Sequence, residues 1–292
     1  MEQIDAIEAE RGALLSVAYR LLGTVADAED AVQETFVRWF RLAPGERAAI
    51  RNPAAWLTRV AGRVCLDMLG SARARRERYV GPWLPEPVPL ASVPAGSAEI
   101  DPLDRVARDE SVSMALLVIL DALTPAERVA FVLHDVFGVP FAEIAETMGR
   151  SVEAVRQLAS HARRRVQRRR TSLASREQHD AVVRAFVEAS ASGDLDRLVS
   201  VLGPEVVLRS DGGGKVSAAL RPVRGADRVA RFLLGVPRLT PGIESVLAET
   251  ADGIALRAMR DGRTDAIISF VVGQEGIEEV LIVRNPDKLT QW

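Results

Sequence analysis

The stretch Pro140–Val166, "PFAEIAETMGRSVEAVRQLASHARRRV", decides how the chain is read. Phe141, Ile144, Ala145 and Met148 recur at helical spacing and share one face. Gly149 then interrupts the pattern, because glycine reaches the left-handed backbone that ends a helix at little cost. Ser151 follows as a candidate N-cap, with Glu153 in the first turn, where the helix dipole favours a negative charge. Val152, Val155, Ala159, Ala162 and Val166 form a second apolar stripe, spaced alternately by three and four. Two short amphipathic helices joined at a glycine predict a helix-turn-helix. Off the stripe, the second helix carries Arg156, Gln157, Ser160, His161, Arg163 and Arg164. All can bond phosphates or base edges in a DNA groove. Arg165, Arg168, Arg169 and Arg170 extend the positive field. The charges alone would also suit a solvated basic face; cap, turn and stripe together favour DNA.

Working outward, "TPAE" at Thr124–Glu127 reads as a capping box with proline at the first helical position. Helical texture therefore runs from Glu110 to about Arg170. Upstream, Tyr79 to about Asp109 is proline-rich and lacks a helical period, which predicts an extended linker. Trp83 within it is large and apolar, suited both to local packing and to docking. The first 78 residues are helical again. Leu14, Ala18, Leu21 and Leu22 form one stripe, Val32, Phe36, Trp39 and Phe40 a second, and Trp56, Leu57, Val60, Ala61, Val64, Met68 and Leu69 a third. Acidic residues gather at the front of this region, while Arg59, Arg63 and the Arg73–Arg78 run gather at its back. After about Ser175, helical segments give way to short β-rich runs, "EVVLRS", "SVLAETAD", "GIALRAMR", "DAIISFVVG" and "EEVLIVR". Glycine and aspartate turns separate them, predicting an α+β domain with antiparallel strands.

Composition bounds the alternatives. The chain has 292 residues and a formal net charge of −2, so it is no globally basic coat for nucleic acid. A lone Cys65 excludes an internal disulfide framework and suits a reducing cytoplasm. No apolar run approaches the roughly 20 residues of a membrane helix, and the acidic "MEQIDAIEAE" start resembles no signal peptide. A soluble cytoplasmic protein is expected. Three scattered histidines and one cysteine predict no metal site.

"RSDGGGKVSAA", Arg209–Ala219, looks at first like a phosphate cradle. A Walker loop needs Ser or Thr after its lysine and wider glycine spacing. Here Val216 follows Lys215, and Gly212–Gly214 are contiguous, so the match fails. A plain turn and a loop approaching a partner closely both remain open. The α+β segment holds no tyrosine, and its one histidine, His179, lies near the start. Asp211, Asp252, Asp261 and Asp265 read better as turn residues than as bases, so neither catalysis nor a cofactor is expected. A small-molecule pocket stays open.

"DAEDAVQETFVRWF", "NPAAWLTRVAGRVCLDMLGSARARRE" and "FAEIAETMGRSVEAVRQLASHARRRV" together resemble the two domains of extracytoplasmic-function (ECF) sigma factors. "WLPEP", "DGGGKV" and "NPDKL" further resemble the SigJ-like group with a SnoaL-like, cystatin-like C-terminal extension. The resemblance implies sigma domain 2 over 1–78, a linker over 79–109, sigma domain 4 over 110–172 and a SnoaL-like regulatory domain over 177–292. It implies that the helix bearing Asp27, Asp30, Glu34, Phe36 and Trp39 meets the β′ clamp helices of core RNA polymerase, whose β subunit is a further partner. A loop at about Leu42–Asn52 would capture the −10 element, with Arg59, Arg63, Arg73 and Arg76 on nearby phosphates. The helix-turn-helix would read the −35 element of promoter DNA. Lys215 and Lys288 are the chain's two lysines among 38 basic residues, and they sit in "DGGGKV" and "NPDKL". Trp83, Asp211, Gly213, Lys215, Asn285, Asp287, Lys288 and Leu289 are accordingly expected to form regulatory contacts in cis. No separate anti-sigma protein is then required. Two other classes compete: a ligand-sensing helix-turn-helix regulator, and a cyclase or isomerase fused to a DNA-binding module.

Overall fold

A computed structural model describes residues 7–76, 79–92, 113–170, 173–239 and 241–292. They group into two compact units. The first is helical and comprises described residues of 1–77 and 116–168; the second comprises those of 78–92, 113–115 and 169–292. Among the described residues no helix is long and apolar enough to cross a membrane.

In the first unit, α1 (Arg11–Leu22) ends at Gly23, whose φ of 82° is the left-handed cap glycine supplies. Thr24 then caps α2 (Val25–Arg41), accepting the Asp27 amide at 3.2 Å. Val32, Phe36 and Trp39 are buried with Leu14 and Leu21 of α1 and Leu57 of α4 (Pro53–Arg76). Burying each such side chain stabilises the fold by about 1.5–3 kcal/mol. Trp39 meets Trp56 edge-on, with ring centroids 5.2 Å apart. Between α2 and α4 the expected loop contains a six-residue helix, α3 (Pro44–Ala49), with no buried residue. Next come α5 (Met114–Asp121), α6 (Pro125–Phe131), α7 (Phe141–Met148) and α8 (Val152–Arg170). Thr124 and Glu127 close the capping box at the start of α6. A π-helical turn, Val132–Val136, joins α6 to the helix-turn-helix.

The second unit is α+β. Its sheet has six strands in the order β2-β1-β6-β5-β4-β3. These are β1 (Leu202–Asp211), β2 (Val223–Arg224), β3 (Glu244–Thr250), β4 (Gly253–Arg260), β5 (Arg263–Gly273) and β6 (Gly276–Val283). The antiparallel expectation holds for β3 through β6, but β1 runs parallel to β6. The chain reaches β6 from β1 only after α11 (Ala226–Leu239) and the β3–β6 meander, a crossover that no local pattern reveals. The two-residue edge strand β2 was too short to be visible in the sequence. α9 (Arg176–Ser192), α10 (Leu195–Val201) and α11 pack on the sheet. Val183, Phe186, Leu198 and Val229 meet Ile254, Phe270 and Val280 in one core.

Candidate functional site

Two arrangements stand out, one in each unit. In the second unit, Asp211 at the end of β1 is fully buried. Its Oδ1 accepts hydrogen bonds from the Tyr79 hydroxyl at 2.6 Å and the Gly213 amide at 3.1 Å. Its Oδ2 accepts from the Leu84 amide at 2.9 Å and the Lys288 ammonium at 2.8 Å. The Asp211 carbonyl takes the amides of Arg284 and Asn285. One aspartate thus ties the proline-rich segment, the end of β1 and the C-terminal tail. Lys288 is buried as well; its ammonium also donates to the Leu84 carbonyl at 2.5 Å and lies 4.2 Å from the Trp83 ring centroid. Paired, hydrogen-bonded and against an aromatic face, the two charges meet the conditions under which burial is tolerated.

The glycine-rich loop completes this clasp. Gly213, at φ 61°, lies so close to Asn285 that an added Cβ would fall on its amide. Gly214 likewise abuts Val80. The "DGGGK" loop is a hydrogen-bonded turn, with the Lys215 amide on the Gly212 carbonyl at 3.0 Å, and its backbone also approaches Asn285 and Val80 closely. Asn285 donates to the Tyr79 oxygen at 2.8 Å and caps a 3-10 turn at Pro286–Lys288. Lys215 and Asp287 pair at 2.6 Å with both side chains exposed. Leu289 is buried, and Trp292 Nε1 donates to the Pro87 carbonyl at 2.8 Å. Burial, then the hydrogen bond to the Asp211 carboxylate, pushes the Tyr79 phenol well above its ordinary range. Tyr79, absent from the expected contacts, lies in the linker far from Asp211 in sequence, and no local signal marks it.

Other aspartates take structural places. Asp252, in the β3–β4 turn, accepts the Met114 and Ala115 amides, capping α5; burial nonetheless pushes its carboxyl up. Asp265 pairs with Arg284 at 2.8 Å, and Asp261 occupies a tight turn at φ 51°. Between the helices and the sheet, the Phe186 and Phe270 rings pack 4.9 Å apart in the core. Among the described residues no cluster of three or more His, Cys, Asp or Glu could hold a metal ion.

In the first unit, Gly149 is left-handed at φ 63°, and Ser151 Oγ accepts the Ala154 amide at 3.2 Å. Val155, Ala159, Ala162 and Val166 are buried, which orients the rest of α8. Arg156, Gln157, His161 and Arg164 are exposed; Ser160 and Arg163 are partly so. Arg163 is held by Asp135 at 2.6 Å. Arg169 departs from the expected positive field. It belongs with the second unit, where Glu278 and Glu279 bind it at 2.5 and 2.7 Å.

Phe36 and Trp39, expected on the polymerase-facing surface, are core residues instead, because the α2 stripe packs on α1 and α4. The large apolar residues α2 exposes are Val37 and Phe40, beside exposed Asp30 and half-exposed Glu34. Asp27 is partly spent at the helix start, where its carboxylate accepts from the Thr24 hydroxyl at 2.8 Å. Arg59 pairs with Glu143 of α7 at 3.3 Å, and Arg63 donates to the Thr147 carbonyl at 3.1 Å. Both arginines therefore already have protein partners. Arg73 and Arg76 lie in the last turns of α4, and their side chains fall outside the described residues.

Residues 6–75 match the family Sigma-70 region 2, and residues 113–166 match Sigma-70, region 4. The ECF RNA polymerase sigma factor SigJ of Mycobacterium tuberculosis is 48% identical over 244 residues, covering 82% of this chain and 75% of that protein. The probable ECF sigma factor SigI of the same organism is 42% identical, covering 80% and 78%. The crystal structure of Mycobacterium tuberculosis SigJ superposes with a TM-score of 0.73 at 41% identity, covering 99% of this chain and 98% of that one.

Proposed function

The chain belongs to the extracytoplasmic-function RNA polymerase sigma factors, and on that premise we propose how its parts divide the work of transcription initiation. The family's members are initiation factors rather than enzymes; their regions 2 and 4 bind core polymerase and the −10 and −35 promoter elements. In our reading residues 1–78 act as domain 2, 79–109 as the linker, 110–172 as domain 4 and 177–292 as a SnoaL-like regulatory domain. The exposed face of α2, with Asp30, Glu34, Val37 and Phe40, meets the β′ clamp helices. Asp27, Phe36 and Trp39 support that face from the helix start and from beneath. Domain 4 meets the β subunit. The segment Leu42–Asn52 takes the −10 element, with Arg59, Arg63, Arg73 and Arg76 on its backbone. Glu143 and Thr147 occupy Arg59 and Arg63, so DNA must displace them first. Arg156, Gln157, Ser160, His161, Arg163 and Arg164 of α8 read the −35 element. Work beside the polymerase places the protein in the cytoplasm.

The α+β domain regulates this activity in cis, which makes a separate anti-sigma protein unnecessary. The observation that carries this is the buried Asp211 carboxylate, which holds Tyr79, Leu84 and Lys288 at once. Trp83, Gly213, Lys215, Asn285, Asp287 and Leu289 complete the clasp. A linker gripped this way is not free to adjust the spacing between two promoter-reading domains. In vitro transcription with purified core polymerase tests it, comparing the full chain with Tyr79→Phe and Lys215→Ala at equal folded concentration. Tyr79→Phe removes one donor to Asp211, and Lys215→Ala breaks an exposed pair worth at most about 1 kcal/mol, so both variants should fold. Transcription should rise as the clasp loosens; output equal to the parent from both would remove the cis-regulatory role.

A further inference from the structure

Val132–Val136 forms a π-helical turn, a rare geometry that is frequent at functional sites. Its ends are fixed by hydrogen bonds from the Phe137 amide to the Val132 carbonyl at 3.2 Å and from the Val139 amide to the Leu133 carbonyl at 2.9 Å. Gly138, at φ 68°, lets the chain turn away into α7. The His134 ring stacks on Phe141, centroids 3.7 Å apart, and its Nδ1 lies 3.0 Å from the Val139 carbonyl. The residue this turn presents to α8 is Asp135. Its Oδ1 accepts from Arg163 Nε at 2.6 Å, and the two side chains are 17% and 40% exposed.

Arg163 lies two helical turns beyond Arg156 on the same side of α8, about 10.5 Å along the axis. That distance spans roughly three base-pair steps of about 3.4 Å each. A guanidinium carries five N–H donors in a rigid fork. The bond at Nε leaves the two terminal nitrogens able to meet a guanine edge in bidentate fashion. A charge-assisted bond this short also removes most of the rotamer freedom that an unheld arginine would lose on binding. We propose that Asp135 is a positioning residue for promoter recognition, holding the Arg163 guanidinium in the orientation that reads one base pair of the upstream element. The proposal rests on the reading of α8 as the −35-binding helix.

The test uses holoenzyme reconstituted from the full chain and core polymerase. Its affinity is measured on a parent promoter and on a set in which each −35 base pair is changed in turn. Arg163→Ala should lose about tenfold on the parent and flatten the preference at one base pair. Asp135→Ala should flatten the preference at that same pair, with a loss of about threefold to tenfold, and Asp135→Asn should recover part of it. The double variant should be no worse than Arg163→Ala alone, because the two residues act as one unit. If Arg163→Ala changes the preference and Asp135→Ala does not, positioning is overturned while the α8 reading stands. If Arg163→Ala leaves every promoter unchanged, both fall. Tighter binding of Asp135→Ala to all promoters alike, with a steeper salt dependence, would make Asp135 a mere screen of positive charge and overturn the proposal. Uniform weakening in step with a lowered melting temperature would make it merely structural and overturn it equally.

Discussion

Asp211 and Lys288 illustrate how much one pair of side chains can decide. Both are almost wholly removed from water, so neither is stable without the other. Lys288→Met should cost about 3–5 kcal/mol, because it leaves a buried carboxylate without its cation. Adding Asp211→Asn to Lys288→Met should recover part of that loss by removing the unpaired charge. Denaturant midpoints of the three chains check this, and a double variant less stable than Lys288→Met would contradict it. Tyr79 gives a second handle. Its pKa is raised in the fold, so its contribution to stability is complete below the ordinary phenol value near 10 and fades as pH rises through the higher folded value. Phenolate absorbance should therefore show Tyr79 ionising above that ordinary value in folded protein and close to it in denatured protein. Coincident titrations in the two states would show that the Asp211 contact is not maintained in solution.

At the scale of elements, α2 separates what holds the fold from what faces outward. Trp39 is buried against Trp56, so Trp39→Ala should cost about 3–5 kcal/mol and reduce polymerase binding only through lost folding. Asp30→Arg with Phe40→Ser changes exposed positions, and surface changes usually stay within about 0.5 kcal/mol. That pair should abolish core-polymerase binding while circular dichroism and melting temperature stay near those of the parent. Undiminished binding by the folded variant would move the polymerase contact elsewhere. The helix-turn-helix behaves differently, since its turn depends on backbone rather than side-chain chemistry. Gly149 at φ 63° cannot take a Cβ without strain. Gly149→Ala should lower stability by about 1 kcal/mol, read as a fall in melting temperature.

For the molecule as a whole, the proline-rich segment and the start of α5 are held by groups of the α+β domain. Asp211 takes the Leu84 amide, Asp252 takes the Met114 and Ala115 amides, and Leu84 and Val88 are buried. A chain ending at Ser175 would keep both sigma regions but lose every one of these partners. Its melting temperature should fall, and an apolar dye should bind it more strongly than the full chain. Equal stability and equal dye binding would mean that the sigma regions owe nothing to the α+β domain.

Local pattern by itself determined much of this protein. The spacing of Ile144, Ala145 and Met148, the break at Gly149 and the cap at Ser151 are short-range signals, and they marked the helix-turn-helix and the α8 residues that lie off its buried stripe. Periodicity likewise marked the α2 stripe, although it could not say which aromatic residues face the core. Phe36, Trp39 and Phe40 all sit near one side, and only packing against α1 and α4 buries two of them and leaves the third exposed. The two lysines pointed to "DGGGKV" and "NPDKL", yet nothing in either segment named Tyr79 or Leu84 as partners. The contacts of Tyr79 and Leu84 with Asp211 close over more than a hundred residues, and the parallel pairing of β1 with β6 is likewise long-range. Asp211 was expected among the contacts of the C-terminal extension, but its place at the centre of the clasp, with Tyr79 and Leu84 as donors, came only from the fold. A carboxylate's role follows from which donors the folded chain brings to it, and that is set by long-range topology rather than by its neighbours in sequence.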